Sequence, residues 1–313
     1  MAAAARPAAR PRPGAERLPA GDWLPATSQP DDPVALDPAY LELAGLRLDI
    51  SNQEQFSDAA SSTQQTRGTQ AVAAGPVATI TLIRPRRRNA MTPSMWRGLA
   101  AIGSELPPQV RVVVVKGEGE SFSAGIDLRL FTAEGVPGEE PLPDLRSEGF
   151  PAWIAGVQAG FTWLRDPRIV SIAAVRGHAI GAGFQLALSC DLRVFADDAK
   201  VCMKEPALGL VPDLTGTKPL VDLVGLPRAL EVCLTARTIE AREARDLGLA
   251  EIVVPAADLD AAVADLTAAL LAIDPATARA TKRLLSLAPS NTLGQQAAAE
   301  ARMQAELQRE KSG

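Results

Sequence analysis

Two short glycine- and alanine-rich turns carry the residue pattern in this sequence that best suits chemistry. The first, Ser121–Leu128 (SFSAGIDL), directly follows the apolar segment Val112–Val115. The second, Gly181–Gly183, lies between the apolar segments Ile169–Val175 and Phe184–Ser189. A turn that enters a helix presents unpaired backbone N–H groups at the positive end of the helix dipole, which suits a phosphate, a carboxylate or an oxyanion. Two such turns could aim two donors at one oxygen and stabilise an enolate or a tetrahedral oxyanion.

The composition argues against several other kinds of site. The chain has 313 residues, 47% of them hydrophobic, and a formal net charge of −5, which gives no electrostatic basis for binding nucleic acid. His178 is the only histidine, and Cys190, Cys202 and Cys233 show no paired metal-ligand spacing. No apolar run approaches the length of a membrane span. We therefore expect a cytoplasmic protein with reduced thiols and no metal or other cofactor.

The elements that must position the two turns follow an α/β pattern. Strands alternate with helices, which predicts a parallel sheet with crossover helices. Residues 1–45 form an Ala-, Pro- and Arg-rich tail whose prolines interrupt any helix, and we expect it to be disordered. Residues 46–256 are predicted to form the core, with the polar segment 51–75 as a flexible insertion before the strand Val77–Ile83. Residues 257–313 are predicted to be a C-terminal helical region.

Five sequence blocks, taken together, resemble those of the crotonase (enoyl-CoA hydratase/isomerase) superfamily. One glycine-rich turn is a weak signal, but five blocks in family order are a strong one. The resemblance implies a repeated ββα spiral with C-terminal helices, an acyl-CoA thioester as substrate, and assembly into a homotrimer or a dimer of trimers. The blocks are Arg84-Pro85 with Arg88-Asn89-Ala90-Met91, SFSAGIDL, AAVRGHAIGAGFQLALSCDLRV, KEPALGLVPDLTGT and LTARTIEAREARDLGLAEIVV, and the match covers about Val77 to Leu287.

The resemblance assigns an oxyanion hole to the backbone N–H groups of Ala124 and Ala182. Small side chains suit this role because a thioester oxygen must come within hydrogen-bond distance of main-chain nitrogen. Gly125 and the glycines of the second turn allow the backbone to turn. Asp127 is expected to cap the helix that follows the first turn.

Two positions that carry carboxylates in hydratase members are occupied here by Gln185 and Glu205. Hydration uses two acids to hold and activate one water, and Gln185 can orient water but cannot accept a proton near neutral pH. Glu205 alone could remove a proton from one carbon and return it two carbons along. We therefore expect double-bond isomerisation with Glu205 as the base. The alternatives are a hydratase in which Gln185 merely positions water, and an acyl-CoA-binding member without catalysis.

A further acid, Asp213, lies eight residues after Glu205. Dienoyl-CoA isomerases resemble this sequence in placing an acid at that point, although they also carry an acid where this chain has Gln185. A carboxylate near Glu205 could raise one of the two pKa values by repulsion and desolvation. The competing interpretation is that Asp213 is the N-cap of the helix that leads to Leu220.

The resemblance also implies the residues that contact coenzyme A. Lys282, in the penultimate helix, could meet the nucleotide phosphates, since Lys and Arg suit phosphate. The remaining predicted substrate- and CoA-binding residues are Arg88, Asn89, Ala90, Phe122, Ser123, Gly125, Ile126, Asp127, Gly181 and Gly183.

Overall fold

A computed structural model describes residues 36–53, 55–56 and 75–312. Most of the predicted tail and most of the predicted insertion lie outside the described residues. The last ten residues of the predicted tail differ from expectation, because Pro38–Leu43 form a helix capped by Asp37, and Leu41 is buried. This part of the tail therefore packs against the folded protein.

Strands and helices alternate along the described chain, as the sequence pattern predicts. The strands are β1 (Leu46–Ser51), β2 (Val77–Leu82), β3 (Val112–Gly117), β4 (Val170–Val175), β5 (His178–Ile180), β6 (Leu192–Ala196), β7 (Lys200–Cys202), β8 (Ile239–Glu240) and β9 (Ile252–Val254). The α-helices are α1 (Pro38–Leu43), α2 (Pro93–Glu105), α3 (Phe150–Thr162), α4 (Ala182–Ser189), α5 (Thr217–Thr235), α6 (Ala241–Asp246), α7 (Leu259–Leu271), α8 (Pro275–Leu287) and α9 (Leu293–Ser312).

Six of these strands form the main sheet, in the order β1-β2-β3-β4-β6-β9. The β1–β2 pair is antiparallel, and every other neighbouring pair is parallel. The register places Val112 opposite Val77 on one side and opposite Val170 on the other. A smaller sheet has the order β5-β7-β8, in which β5 and β7 are parallel. The mixed α/β fold with a largely parallel sheet and C-terminal helices agrees with the prediction.

Both faces of the main sheet are buried, because side chains alternate between them along each strand. In β3, Val113 and Val115 belong to the large core, whereas Val112 and Val114 point into a second core on the opposite face. Helix α7 covers the second face through Leu259 and other apolar residues. The carboxyl ends of β3 and β4 are thereby fixed side by side. The first glycine-rich turn follows β3, and the second follows β5, the short strand that comes directly after β4 in the chain.

Residues at its N-terminus define where helix α2 begins, directly after the sequence block that ends at Met91. The hydroxyl of Thr92 accepts a hydrogen bond from the N–H of Met95, and Pro93 occupies the first helical position, as the sequence predicts. Within the described residues, no helix has both the length and the apolar character needed to cross a membrane.

Candidate active site

The two glycine-rich turns are joined directly to each other. The N–H of Ser123 donates to the carbonyl of His178 (2.8 Å), and the N–H of Ile180 donates to the carbonyl of Ser123 (2.9 Å). Gly125, with φ +86°, brings the first turn so close to the second that a Cβ atom placed on it would lie 3.5 Å from the nitrogen of Ala182. Long-range pairing thus sets the two turns against one another.

The first turn offers a different donor from the one predicted. The N–H of Ala124 donates to the carbonyl of Arg88 at 2.8 Å, so it is already occupied. The N–H of Asp127 is likewise occupied by the carbonyl of Met91 (2.9 Å). Between them, the N–H of Ile126 has no hydrogen-bond acceptor within the described part of the chain. The assignment of the first oxyanion-hole donor to Ala124 is therefore wrong for this structure, and Ile126 supplies the free donor.

A contact between segments that are distant in sequence determines which N–H group of the first turn stays free. The segment Arg88–Met91 runs alongside the first turn and accepts from the residues on either side of Ile126. Sequence reasoning placed Ile126 among the substrate-binding residues but not in the hole, because the turn motif does not reveal which of its N–H groups another segment will occupy.

The second turn leaves the N–H of the predicted donor, Ala182, without an acceptor in the described residues. Gly181 is the N-cap of α4, with φ +52° and ψ −120°, and its carbonyl accepts the N–H of Gln185 (2.9 Å). The first helical N–H groups, starting with that of Ala182, have no acceptor in the described residues, as expected at a helix start. Gly183 is needed for the close approach of the two turns, since a Cβ atom on it would lie 2.6 Å from the carbonyl oxygen of Ser123.

Glu205 places a carboxylate beside the start of α4. It opens a 3₁₀ turn after β7, and only 9% of the residue is exposed. Its Oε1 accepts a hydrogen bond from Nε2 of Gln185 (2.7 Å), whereas its Oε2 is buried and has no partner among the described residues. A Cβ atom on Gly181 would lie 3.0 Å from Oε1, so the carboxylate lies against the residue that precedes Ala182.

The surroundings of Glu205 favour its protonated form. Burial raises the pKa of its carboxyl above the ordinary value, and the negative charge of Asp213 adds to this rise. Hydrogen bonds from its own backbone N–H and from the Gln185 amide oppose the rise but do not cancel it. A carboxylate with a raised pKa is a stronger base than an exposed one, and its conjugate acid still returns the proton readily.

Gln185 is completely buried and has a single amide orientation. Its Oε1 accepts hydrogen bonds from the N–H groups of Leu214 (2.9 Å) and Gly216 (3.2 Å). These two donors require the amide oxygen to face them, so Nε2 must face Glu205. Gln185 is thus held in place from three directions.

Asp213 lies in the segment between Glu205 and α5. The N-cap of α5 is Gly216, and the helix has no side-chain cap, so the interpretation of Asp213 as the N-cap is wrong. Its carbonyl accepts from Nε2 of Gln158 (2.6 Å), and burial raises the pKa of its carboxyl. Its negative charge also adds to the rise in the pKa of Glu205.

Three residues predicted to hold coenzyme A have buried side chains with internal roles. The amide of Asn89 donates to the carbonyls of Glu118 (2.9 Å) and Ser121 (2.8 Å) and accepts from the N–H of Arg84 (2.9 Å). The hydroxyl of Ser123 donates to the carbonyl of Asn89 (2.8 Å), and Phe122 belongs to the core. Their side chains are thus engaged within the protein, and the prediction that these positions contact coenzyme A stays a prediction. They shape the loop.

The other residues of this loop have separate roles. Asp127 caps the 3₁₀ turn Leu128–Phe131, as predicted for a cap, and accepts from Arg84 (3.1 Å) and Arg129 (2.8 Å). The hydrogen bond from Arg129 holds the pKa of the Asp127 carboxyl well below its usual range, which leaves no free carboxylate for a substrate. Two further residues of the loop have different surroundings. Arg88 is exposed, and its guanidinium has no ion-pair partner in the described residues. The carbonyl of the buried Ala90 accepts from Arg84.

Lys282 does not face an open phosphate site within this chain. Its Nζ donates to the carbonyls of Asp166 (2.8 Å) and Ile169 (2.8 Å) and to the carboxylate of Asp191 (2.6 Å). These three acceptors use all three of its N–H groups. The prediction that Lys282 meets the nucleotide phosphates is therefore wrong here, because the lysine attaches α8 to residues that precede the interior strands β4 and β6.

Comparisons with known proteins connect this geometry to a family. The family model for enoyl-CoA hydratase/isomerase matches residues 73–313. The chain is 34% identical over 185 residues to a protein of Mycobacterium bovis provisionally named as an enoyl-CoA hydratase, covering 58% of this chain and 67% of that protein. It is 38% identical over 190 residues to a carnitinyl-CoA dehydratase of Salmonella enteritidis, covering 59% of this chain and 67% of that protein.

Solved structures give a closer match over more of the chain. A protein of Thermobifida fusca YX, provisionally assigned as an enoyl-CoA hydratase, is 54% identical, with a TM-score of 0.78 for its complex with CoA. That match covers 88% of this chain and 97% of the other. The complex of such a protein with acetoacetyl-CoA is 55% identical, with a TM-score of 0.78 and coverage of 88% and 99%.

Proposed function

Because this chain belongs to the enoyl-CoA hydratase/isomerase family, we propose that it moves a double bond within an enoyl-CoA, with Glu205 as the base. The observation that carries the proposal is the buried and unpartnered Oε2 of Glu205, whose carboxylate lies against Gly181, the residue before the free N–H of Ala182. The CoA and acetoacetyl-CoA complexes of the Thermobifida fusca protein support a CoA thioester as the substrate.

The proposed oxyanion hole consists of the N–H groups of Ile126 and Ala182. Both are free in the described residues, and the Gly125 turn brings the two segments together. When a proton leaves C2 of the acyl group, negative charge moves onto the thioester oxygen. Two fixed backbone donors stabilise that charge without having to reorganise.

The proposed proton transfer uses one carboxylate oxygen for both steps. Oε2 of Glu205 removes a proton from C2 of a 3-enoyl-CoA, and the electron pair of the C2–H bond moves into conjugation with the thioester. The protonated Glu205 then donates the same proton to C4, which places the double bond between C2 and C3. Gln185 takes no proton in either step, because its amide oxygen already accepts from Leu214 and Gly216.

Hydration of a 2-enoyl-CoA is the second candidate reaction. It is favoured by the names of the relatives and by Asp213, a second acid whose charge reaches Glu205. A water held between these two carboxylates would be positioned by two acceptors, as hydration requires. In this alternative, Asp213 rather than Gln185 replaces the missing acid.

An ultraviolet assay with 2-enoyl-CoA and, separately, 3-enoyl-CoA distinguishes the candidates. We expect the conjugated-thioester absorbance to rise from the 3-enoyl substrate, and Glu205→Gln to lower that rate by about 10²–10⁴-fold. Glu300→Gln, at an exposed position on α9, is the matched control and should retain full activity. Loss of absorbance from the 2-enoyl substrate without isomerisation would select hydration, and absence of any turnover would contradict both reactions.

Further features of this proposal concern coenzyme A and assembly. We propose that the free guanidinium of Arg88 contacts a CoA phosphate, and that no cofactor other than the CoA thioester itself takes part. We also propose a homotrimer or dimer of trimers in the cytoplasm, without nucleic-acid or membrane partners. Light scattering that gave the mass of a monomer would contradict the assembly.

A further inference from the structure

The buried amide of Gln185 bonds both Glu205 and the backbone of the segment that carries Asp213. Nε2 of Gln185 donates to Oε1 of Glu205 (2.7 Å), while its Oε1 accepts from the N–H groups of Leu214 (2.9 Å) and Gly216 (3.2 Å). The segment that supplies these two N–H groups also carries Asp213. Gly216 has no side chain because the stem of Gln185 occupies that space, and a Cβ atom on Gly216 would lie 2.6 Å from Cγ of Gln185.

The segment is held in an unfavourable conformation around this amide. Thr215, between the two donors, has φ +68°, which is rare for a β-branched residue. Such a conformation persists only where neighbouring contacts determine it. Here the contacts are the two hydrogen bonds to Gln185 and a 3.4 Å contact between the hydroxyls of Thr215 and Ser189. The strained backbone at Thr215 therefore places the N–H groups of Leu214 and Gly216 where they orient the Gln185 amide.

Other side chains in place of Gln185 would change the hydrogen bonding of the Glu205 carboxylate in different ways. A glutamate could still accept from Leu214 and Gly216, but its second oxygen would face Oε1 of Glu205 across the 2.7 Å now spanned by a hydrogen bond. Two carboxylates at that distance must share a proton or move apart. A methionine of similar length would remove both the acceptor and the donor. Glutamine is neutral, accepts twice and donates once.

We propose that Gln185 is a positioning residue that engages Oε1 of Glu205, leaves only Oε2 free, and thereby selects proton transfer between two carbons over addition of water. The inference rests on the proposed function of Glu205 as the base. With Oε1 of Glu205 and the Gln185 amide oxygen both engaged, Oε2 is the one acceptor that these two side chains leave free. One acceptor serves a single shuttled proton, whereas an attacking water needs acceptors for its protons as well as a separate donor to carbon.

The first test needs no substrate. The titration of the Glu205 carboxyl can be followed by NMR of protein containing ¹³C-labelled glutamate, with Glu205→Gln used to assign the signal. Gln185→Met removes a hydrogen bond to the charged form, so the pKa of Glu205 should rise by about one unit. The matched control is Gln295→Met, at an exposed position on α9 whose side chain bonds Thr292 and contacts neither acid, and it should leave that pKa unchanged.

The second test uses turnover. Gln185→Met should lower kcat for the 3-enoyl substrate by about 10–100-fold and change KM little, because contacts with CoA are kept. Gln185→Glu, which keeps both backbone hydrogen bonds, should raise the ratio of hydration to isomerisation at least about tenfold and give a two-step titration. An unchanged ratio, or an unchanged Glu205 pKa in folded Gln185→Met, would overturn the inference.

The two tests separate this inference from the proposed function. A wild-type protein that does not isomerise, while its Glu205 pKa still responds to Gln185→Met, would refute isomerisation and with it the claim that Gln185 selects that reaction, but would retain the positioning of Glu205. An active isomerase whose Glu205 titrates identically in wild type and Gln185→Met would refute the positioning role and leave the proposed function standing. Circular dichroism identifies any variant that fails to fold, and Gln185→Glu then provides the deciding measurement.

Discussion

At the scale of single residues, Glu205 is held in a form that costs the folded protein stability. One of its oxygens is buried without a partner, and a buried polar atom that lacks a hydrogen bond loses its interaction with water without compensation. The neighbouring Gln185 satisfies only the other oxygen. The role that we propose for Glu205 accounts for this arrangement, because a base needs one oxygen that is free to reach a substrate proton.

Replacing Glu205 by glutamine should therefore stabilise the folded protein at neutral pH while abolishing activity. Burial raises the folded-state pKa of Glu205 above its ordinary value of 4.5. At a pH between the ordinary pKa and the folded-state pKa, the folded state binds more protons than the unfolded state. The contribution of Glu205 to the free energy of unfolding therefore falls as pH rises through this range. At neutral pH we expect Glu205→Gln to melt about 2 °C or more above wild type.

Calorimetry across the acid range checks this expectation. The difference in melting temperature should be largest above the folded-state pKa of Glu205 and should shrink as the pH approaches 4.5. A variant that melted below wild type at neutral pH would show that the carboxylate has a stabilising partner.

At the scale of elements, the proposed oxyanion hole depends on where helix α4 begins and on which segment runs beside the first turn. Helix α4 leaves the N–H of Ala182 free because it is the first helical residue. The N–H of Ile126 is free because Arg88–Met91 pairs with the residues around it and not with Ile126 itself. Asn89 fixes that segment through three hydrogen bonds to backbone groups.

Ala182→Pro should remove one donor of the hole with little effect on folding. Proline is well tolerated at the first position of a helix, where the N–H has no intrahelical acceptor. Gly181, with ψ −120°, is outside the helical conformation that a following proline disfavours. We expect kcat to fall by about 10²–10³-fold, measured by the same ultraviolet assay, with a melting temperature close to wild type. Full activity in the folded variant would place the second donor elsewhere.

At the scale of the whole molecule, the C-terminal helices are attached to the sheet by a buried lysine. Lys282 of α8 reaches Asp191, at the start of β6, and two carbonyls that precede β4. Only 12% of the Lys282 side chain and 18% of the Asp191 side chain are exposed, so removing one partner leaves a nearly buried charge. Burial is also the main cause of the lowered pKa of Lys282.

Lys282→Met should accordingly affect stability and not ligand binding. Breaking a buried ion pair costs about 2–4 kcal/mol of unfolding free energy, which denaturant titration can measure. Arg283→Met, at the exposed neighbouring position, should change stability by no more than about 0.5 kcal/mol. Calorimetric titration with CoA should give the same affinity for Lys282→Met and wild type. A tenfold weaker affinity would restore the phosphate-binding role that the sequence predicted.

The sequence by itself determined the family, the α/β fold with its C-terminal helices, the two turns and the pairing of Glu205 with a glutamine. Local motifs, their order along the chain and the alternation of hydrophobic residues indicate these features. The tertiary structure decided that Ile126 and not Ala124 offers a free N–H, and that Asn89 and Lys282 have internal roles. It also decided that Gln185 bonds Glu205 and the backbone of the segment that carries Asp213. A donor or acceptor is free only if no distant segment occupies it, and such long-range partners are fixed by how the chain packs.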